Sequence, residues 1–519
     1  MKQVTVLHGL FIEEYQCKRP VMNQSINISE SVKEFIIRSK GQFIDGEWVK
    51  CLNGFELPII EPSSGINIGK LSEADIESVN KAVESSVQAF NPDSEWSNLG
   101  PSKRERLLNA LATAIEENAD QFAELITLEL GAPLSATKHF EVNKAVETLR
   151  YYAGFPSKIH GDVIDINQDM GDQHFFGYTC KEPVGVVAAI VPWNAPLMIA
   201  VWKLAPAIAV GCTVVMKPSE EASLAILRLA ELAHEIGFPP GVFNVIVGRG
   251  ETVGNSLVSH PGINKITFTG SMKIGKEIHK KASDKLIRLS LELGGKSPVI
   301  VMPDADLEEA VPGVAMGAFA NSGQVCVAGS RVFVHKKIAD EFIERIKEFS
   351  LGLTVGSGLD EETQIGPVIS KKQQQKIESY IDDAWKSGAK LHQKNLSKSN
   401  GFFVPPTVIT NLPRDSKLLN EEIFGPVMTI EVFEDENDII LQTNSSSHGL
   451  AAMVWSESHR NIQILAKKLR VGTVFVNTPA FPPPSIPTGG FRESGIGRDL
   501  GASGLEGFLE TKSVISKIS

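Results

Sequence analysis

Short apolar runs alternate with helical patterns through the centre of the chain, and this alternation restricts the fold more than any other feature. The runs are rich in β-branched residues and occupy 184–191, 213–216, 243–247, 265–269, 287–293 and 298–301. Helical periodicity lies between several of them, at 199–209, 221–236 and 272–282. Such alternation predicts a mostly parallel sheet covered by helices. A similar pattern over about 304–480 predicts a second α/β unit, as expected for 519 residues.

Charge and cysteine usage exclude several function classes. The formal net charge of −11 disfavours binding to the phosphates of nucleic acid. No apolar stretch is long enough to cross a bilayer, and the N-terminus has no signal-peptide pattern. The five cysteines contain no CxxC pair, so neither a disulfide framework nor a metal site is expected. The sequence therefore predicts a cytoplasmic protein without a metal ion and without membrane or nucleic-acid partners.

Two loops that follow apolar runs carry residues suited to binding a nucleotide. Gly270 and Ser271 stand where a run ends and a helix begins, and helix N-termini attract phosphate. Lys217, Ser219 and Glu220 follow another run, at the kind of sheet edge where ligands bind in open α/β folds. A carboxylate there can accept hydrogen bonds from ribose hydroxyls. Taken alone, the first loop is equally consistent with an ordinary turn, and the second favours a solvated loop.

Three further residues have the chemistry of a catalytic site. Glu292 interrupts an alternating leucine run, where desolvation raises a carboxyl pKa toward that of a general base, and the glycine pair 294–295 predicts close approach of another backbone segment. Cys326 lies among small and apolar residues, and Asn194 offers an amide donor for an oxyanion in the rigid turn 192–196. The alternatives are a glutamate at an exposed sheet edge, an inert buried cysteine and a structural asparagine.

Together and in this order, these segments resemble the aldehyde dehydrogenase superfamily. The resemblance extends from about residue 41 to the C-terminus, and residues 1–40 lie outside it. It rests on the motifs PWNAP (192–196), KLAPAIAVG (203–211), KPSE (217–220), FTGS (268–271), ELGGK (292–296), GQVCVAGSR (323–331), EEIFGPV (421–427) and SGIGRD (494–499).

The resemblance implies a role for each matching residue. Cys326 would be the nucleophile, Glu292 the general base, and Asn194, with the Cys326 backbone N–H, the oxyanion hole. Lys203 and Asp499 match a lysine and a glutamate that relay protons, although the aspartate is one methylene shorter. The implied cofactor is NAD, with NADP as the alternative. The cofactor contacts implied are Pro192, Trp193, Lys217, Ser219, Glu220, Gly270, Ser271, Leu293, Glu422 and Phe424. Glu220 favours NAD, because a carboxylate repels a 2′-phosphate.

The architecture implied by the resemblance has three parts after an N-terminal extension (1–40). These are a Rossmann-like NAD-binding domain (41–160 and 183–293), an α/β catalytic domain (294–490) and a small β oligomerisation element (161–182 and 491–519). The last part predicts a homodimer or homotetramer, because its apolar hairpin would otherwise leave strand edges exposed.

The predicted reaction is the oxidation of an aldehyde to a carboxylic acid through a thiohemiacetal and a thioester on Cys326. One alternative is a CoA-acylating semialdehyde dehydrogenase, in which the glutamate matching Glu292 is typically absent. A second is an inactive structural relative, and a third is a cysteine hydrolase without redox chemistry. Ala195 and Thr488 stand where relatives often have aromatic rings, so we expect a pocket open to bulky, largely apolar aldehydes.

Overall fold

The computed structural model describes residues 28–39, 41–51, 55–166, 174–396, 400–479 and 481–518. The helices are α1 (Glu30–Arg38), α2 (Ile76–Phe90), α3 (Pro101–Glu117), α4 (Ala119–Leu130), α5 (Leu134–Ala136), α6 (Asn143–Ala153), α7 (Pro196–Val210), α8 (Leu224–Glu235), α9 (Asn255–Ser259), α10 (Met272–Ser283), α11 (Leu307–Phe319), α12 (Ala339–Gly352), α13 (Lys371–Lys386), α14 (Glu436–Asn444), α15 (His459–Lys468) and α16 (Gly501–Glu506). A π-helical turn (Thr137–Val142) joins α5 to α6.

The strands are β1 (Gln42–Ile44), β2 (Glu47–Val49), β3 (Glu56–Glu61), β4 (Ile66–Ser72), β5 (Val163–Ile164), β6 (His174–Pro183), β7 (Val186–Ile190), β8 (Thr213–Lys217), β9 (Phe243–Val245), β10 (Lys265–Thr269), β11 (Arg288–Glu292), β12 (Pro298–Val301), β13 (Arg331–His335), β14 (Lys390–Gln393), β15 (Thr407–Thr410), β16 (Val427–Phe433), β17 (Ala451–Trp455), β18 (Thr473–Val476), β19 (Gly495–Ile496) and β20 (Leu509–Ile518).

The first sheet has the strand order β19-β11-β10-β7-β8-β9-β1-β2. Its five central strands, from β11 to β9, run parallel, and every residue of β7 and β8 is buried, because helices cover both faces of the sheet. The prediction of a parallel α/β sheet is therefore confirmed. From β7 the chain moves outward to β8 and β9 and then returns to β10 and β11. Such a reversal of strand order opens a crevice at the carboxyl ends of the strands.

The second sheet has the order β14-β15-β16-β13-β12-β17-β18, and only β14 is antiparallel to its neighbour. Apolar side chains of β12 and β13 pack with Phe319 of α11 and Phe342 of α12 in one buried cluster. This sheet is the second α/β unit that the pattern over 304–480 predicts, but it also contains β12, a run that the sequence pattern groups with the first sheet. Within the described ranges, no helix is both long and apolar enough to cross a membrane.

A three-stranded antiparallel sheet in the order β20-β6-β5 joins the C-terminal strand to the excursion before β7. The register of β20 and β6 runs without a break from the pair Leu509–Pro183 to the pair Ile518–His174. The strands of the predicted oligomerisation element therefore do lie together. Part of the predicted hairpin, residues 167–173, lies outside the described residues, and the role of this sheet in assembly stays a prediction.

The structure differs from the sequence pattern in two further places. Apolar residues recur at three- and four-residue spacing over 102–130, which predicts helical structure there. This segment forms two helices, α3 and α4, because Asn118 takes non-helical angles (φ −107°, ψ 22°) between them. The segment assigned to an N-terminal extension contains α1, which buries Val32, Phe35 and Ile36. Arg38 at its end donates to Glu231 of α8 at 2.7 Å. This part of the extension therefore packs as an integral element of the first unit.

Candidate active site

Cys326 follows a turn with strained backbone geometry. Asn321, Ser322 and Gly323 take φ values of 52°, 55° and 67°, in the left-handed region that disfavours residues with a Cβ. The Ser322 hydroxyl donates to the Gly366 carbonyl at 2.7 Å and holds the turn against a distant loop. Strain of this kind persists only when the surrounding contacts impose it, and such residues cluster at active sites.

The turn that carries Asn194 is bonded to the turn that carries Cys326. The Asn194 side-chain amide donates to the Gln324 carbonyl at 2.8 Å, and the Asn321 amide donates back to the Asn194 carbonyl at 2.8 Å. Gln324 is itself fully buried and accepts from the Ile369 N–H at 2.9 Å. A side-chain amide has two N–H groups, so Asn194 keeps one donor beyond this bond.

The glycine pair after β11 brings the cysteine turn against the end of that strand. A Cβ atom at Gly295 would lie 2.7 Å from the Cys326 carbonyl oxygen, and one at Gly294 would overlap the Glu422 carboxylate. Only glycine leaves room for these neighbours. The predicted close approach of another backbone segment is thus confirmed, and that segment is the cysteine turn.

Glu292, the last residue of β11, is a buried carboxyl whose pKa is raised. Its side chain is almost inaccessible, and within the described residues its Oε1 atom has no hydrogen-bond partner. Burial raises the Glu292 pKa well above the usual carboxyl range, and repulsion from Asp499 raises it further. Lys203 opposes this shift. The expectation that the environment raises the pKa of this glutamate is therefore confirmed.

Lys203 and Asp499 form an ion pair beside Glu292. The distance from Nζ to Oδ2 is 2.5 Å, and the two side chains are 0% and 3% exposed. Strand β19 pairs with β11 just before Asp499, and the Asp499 N–H donates to the Thr488 carbonyl at 2.9 Å. The shorter aspartate therefore still reaches the lysine, because these backbone contacts hold the segment around Asp499 close to Lys203.

The Cys326 thiol is not pre-ionised in this environment. Burial raises its pKa to about 12, with Glu422 and Glu292 adding repulsion to the thiolate. A thiol with such a pKa is protonated at neutral pH, and the thiolate is the nucleophilic form. Any chemistry on this sulfur therefore requires a base that removes its proton.

A cavity of about 460 Å³ opens at the carboxyl ends of β7, β8 and β10, where the strand order reverses. It gathers most of the predicted cofactor-binding residues, namely Pro192, Trp193, Lys217, Ser219, Glu220, Gly270 and Ser271. Lys217 Nζ is 3.7 Å from the Glu220 carboxylate. Ser271 is the N-cap of α10, with its hydroxyl accepting from the Ile274 N–H at 3.4 Å. A carboxylate acceptor and a helix N-terminus in one crevice fit the ribose and phosphate groups of a dinucleotide.

The remaining predicted cofactor residues adjoin this cavity. Phe424, with φ at 61°, lies edge-on to Trp193 with ring centroids 5.3 Å apart. Glu422 accepts from the Gly295 N–H at 3.1 Å, and Leu293 packs against Gly275 of α10. Leu293 and Glu422 therefore lie at the end of β11, where the Cys326 turn approaches.

Two residues of the π-helical turn contribute to the site without being predicted. Glu141 accepts from the Leu197 N–H at 2.9 Å, at the start of α7 just after Asn194, and burial raises its pKa to about 8. Phe140 packs edge-on against Phe481, whose centroid is also 6.5 Å from that of Trp202. A π turn breaks the 3.6-residue period, so sequence periodicity gives no indication of either contact.

Known proteins match this chain over nearly its whole length. It matches the model of the aldehyde dehydrogenase family over residues 48–514. It is 42% identical over 476 residues to phenylacetaldehyde dehydrogenase of Pseudomonas fluorescens, covering 91% of this chain and 95% of that protein. It is 40% identical over 479 residues to retinal dehydrogenase 2 of Rattus norvegicus, covering 92% and 91%. The solved NAD⁺ complex of an aldehyde dehydrogenase from Bacillus cereus is similar at a TM-score of 0.92 and 38% identity, covering 96% of this chain and all of that one.

Proposed function

Because this chain belongs to the aldehyde dehydrogenase family, we propose that it oxidises bulky, largely apolar aldehydes to carboxylic acids with NAD, using Cys326 as the nucleophile. One observation carries the proposal. The Cys326 backbone packs on Gly295, three residues after Glu292, while Asn194 is bonded to Gln324, two residues before Cys326. The segments that carry a nucleophile, a base and an oxyanion donor are therefore held together, as the proposed reaction requires.

Glu292 starts the reaction by taking the proton of the Cys326 thiol. A carboxylate with a raised pKa is a good proton acceptor, and the thiol needs one because its own pKa is about 12. The sulfur then forms a bond to the aldehyde carbon. The second N–H of Asn194 and the Cys326 backbone N–H donate to the resulting oxyanion. The product of this step is a thiohemiacetal on Cys326.

Bound NAD supplies the hydride acceptor that oxidises this carbon. Once the thioester stands on Cys326, Glu292 acts a second time and accepts a proton from water as the water oxygen attacks the thioester carbon. The carbon–sulfur bond then breaks, which releases the acid and regenerates the cysteine. Between its two roles Glu292 must lose a proton, and the adjoining Lys203–Asp499 pair offers the exit route.

The decisive experiment incubates the protein with NAD and phenylacetaldehyde and follows both the reduced cofactor and the carboxylic acid. We expect the two products in equal amounts without CoA. Acyl-CoA formed only when CoA is added would identify a CoA-acylating enzyme. In a parallel assay with a simple ester, hydrolysis without any reduced cofactor in the aldehyde assay would identify a cysteine hydrolase, and the absence of all products would identify an inactive relative.

The preference for bulky apolar aldehydes rests on the lining around α7. Phe140, Trp202 and Phe481 form an aromatic cluster, and Ala195 at the start of the helix carries only a methyl group where relatives often have an aromatic ring. The relatives' names, phenylacetaldehyde dehydrogenase and retinal dehydrogenase, point to substrates of the same kind. Specificity constants measured from acetaldehyde through hexanal to phenylacetaldehyde test the preference. It fails if acetaldehyde has the highest value.

We further propose that the protein assembles as a homodimer or homotetramer through the three-stranded sheet. Val163 on β5 and Ile515 on β20 are 74% and 62% exposed, and Ile164, Phe176 and Ile518 on the same sheet are also exposed. Apolar side chains and strand edges together are features of a surface that pairs with another chain. Light scattering at micromolar concentration tests this, because a purely monomeric protein would contradict it. A cytoplasmic location stays a prediction of the sequence.

A further inference from the structure

The cofactor cavity contains two residues with opposite preferences for the group that distinguishes NAD from NADP. Glu220 and Arg249 both line it. A carboxylate accepts hydrogen bonds from the free 2′-hydroxyl of NAD, whereas a guanidinium binds the 2′-phosphate of NADP. The Arg249 side chain is 44% exposed and lies close enough to Glu220 for the two charges to interact. Which cofactor the cavity prefers therefore depends on whether Arg249 is available.

Arg249 is held by Glu73, the residue that follows β4. Its Nε lies 3.1 Å from each Glu73 oxygen, and its NH2 group donates to Oε2 at 2.7 Å. Glu73 also accepts from the Arg249 backbone N–H at 2.9 Å and from the Thr252 hydroxyl at 2.7 Å. These bonds outweigh the cost of burial and lower the Glu73 pKa to about 2. Glu73 is therefore ionised at neutral pH and compensates the charge of Arg249.

The other basic side chains that line the cavity are also engaged. Lys217 donates to the carbonyls of Pro218 and Gly248, both at 2.6 Å. Lys281 donates to the Asn255 side chain at 2.5 Å. The same cavity is lined by three acidic side chains, Glu220, Glu251 and Glu277. An added phosphate group on the ligand is therefore repelled by the acidic side chains, and the basic side chains are already hydrogen-bonded to other acceptors.

We propose that Glu73, by pairing with Arg249, is a specificity-determining residue that keeps this cavity selective for the 2′-hydroxyl of NAD. The inference rests on the proposed function in that it requires the cavity to bind the adenosine end of the cofactor. Glu73 does not touch that ligand in this arrangement. Its ion pair with Arg249 occupies the guanidinium, which would otherwise bind a 2′-phosphate.

The test measures binding by calorimetry with two probes, adenosine 5′-monophosphate and adenosine 2′,5′-bisphosphate. The Glu73→Gln variant keeps an acceptor for the Arg249 backbone and for Thr252 but removes the negative charge. We expect the affinity ratio to shift toward the bisphosphate by about tenfold, while affinity for the monophosphate changes little. Adding Arg249→Met to this variant should reverse the shift. An unchanged ratio, or an equal loss of both probes, would overturn the proposal.

Arg249→Met alone tests the inference if Glu73→Gln fails to fold. We expect it to change the affinity ratio by less than about threefold, because the paired guanidinium contributes little to phosphate binding. A tenfold loss of bisphosphate binding would show that Arg249 already binds phosphate and would overturn the proposal. Glu116→Gln is the matched control, since Glu116 pairs with Arg150 on the surface. If the unaltered protein binds neither probe, the proposed function itself fails. If it binds the monophosphate but no variant shifts the ratio, only this inference fails.

Discussion

The proposed catalytic junction, where the end of β11 meets the Cys326 turn, and the proposed cofactor cavity each depend on a buried carboxyl group, but the two environments shift the carboxyl pKa in opposite directions. At the junction, Glu292 is buried beside another acid, and one of its oxygens has no partner among the described residues, so its pKa is raised. Next to the cavity, Glu73, the partner of the lining residue Arg249, is also shielded from solvent but accepts from a guanidinium, a backbone N–H and a hydroxyl, so its pKa falls to about 2.

This difference follows from the chemistry that each region has to perform. A group that moves protons must have nearly equal free energies in its two protonation states at the working pH, so its charged form cannot be strongly stabilised. A group that shapes a binding surface must keep a fixed charge, so its charged form is hydrogen-bonded as fully as possible. Burial and a raised pKa do not by themselves identify a catalytic carboxyl, since Glu141 has both and accepts from the Leu197 N–H at the start of α7.

The largest expected effect on activity comes from replacing the proposed nucleophile. Cys326→Ala should lower aldehyde oxidation by at least about 10⁴-fold, because no covalent intermediate can form. Reduced cofactor measured by absorbance checks this. Cys180→Ala is the matched control, because Cys180 lies on β6 in the three-stranded sheet, and it should retain activity. Substantial aldehyde oxidation by Cys326→Ala would refute the covalent mechanism.

The next effect sharpens the contrast between buried carboxyl groups. Glu292→Gln should lower steady-state turnover by roughly 10²–10⁴-fold while leaving NAD affinity intact, because the base is lost but the nucleotide contacts remain. Glu129→Gln is the comparison, since Glu129 is also buried but accepts from the Ser223 and Leu224 N–H groups. That variant should lower the melting temperature more than turnover. Equal losses of turnover in both variants would contradict the assignment of a catalytic role to Glu292 and a structural role to Glu129.

The pH dependence tests the electrostatic coupling. Glu292 acts as a base only when ionised, and its pKa is raised, so turnover should increase with pH and reach half its maximum well above pH 4.5. Asp499→Asn removes a negative charge that raises the Glu292 pKa, so the half-point should move to lower pH. Lys203→Met removes a charge that lowers the pKa and should move it to higher pH. The test compares the pH profiles of turnover for the unaltered protein and the two variants. Shifts in the reverse directions would refute the electrostatic coupling to Glu292.

The smallest effect concerns the substrate. Ala195→Phe should lower the specificity constant for phenylacetaldehyde relative to acetaldehyde by about tenfold, because the ring fills space at the start of α7. Phe140→Ala is the complementary change and should weaken binding of aromatic aldehydes through loss of the contact with Phe481. If Ala195→Phe lowers both specificity constants equally, Ala195 does not set the width of the pocket.

The sequence determined the features that depend on local pattern. Alternation of apolar runs and helical periods predicted the parallel strands of both sheets, because burial imposes a period that neighbouring residues reveal. Motif order located Glu292, Cys326 and the residues of the cofactor cavity. Glycines at 294 and 295 predicted the close approach that the Cys326 backbone makes.

Only the tertiary structure decided which distant residues meet. Glu73 and Arg249 are 176 positions apart, and the Asn194 amide finds the Gln324 carbonyl across 130 positions. The same holds for the packing of α1 through Arg38 and Glu231. These contacts depend on how the sheets and helices pack, and no local period encodes them. The pKa values of Glu292 and Glu73 differ for this reason, since each depends on how far the fold buries the carboxylate and on the hydrogen-bond donors and charges that it brings within reach.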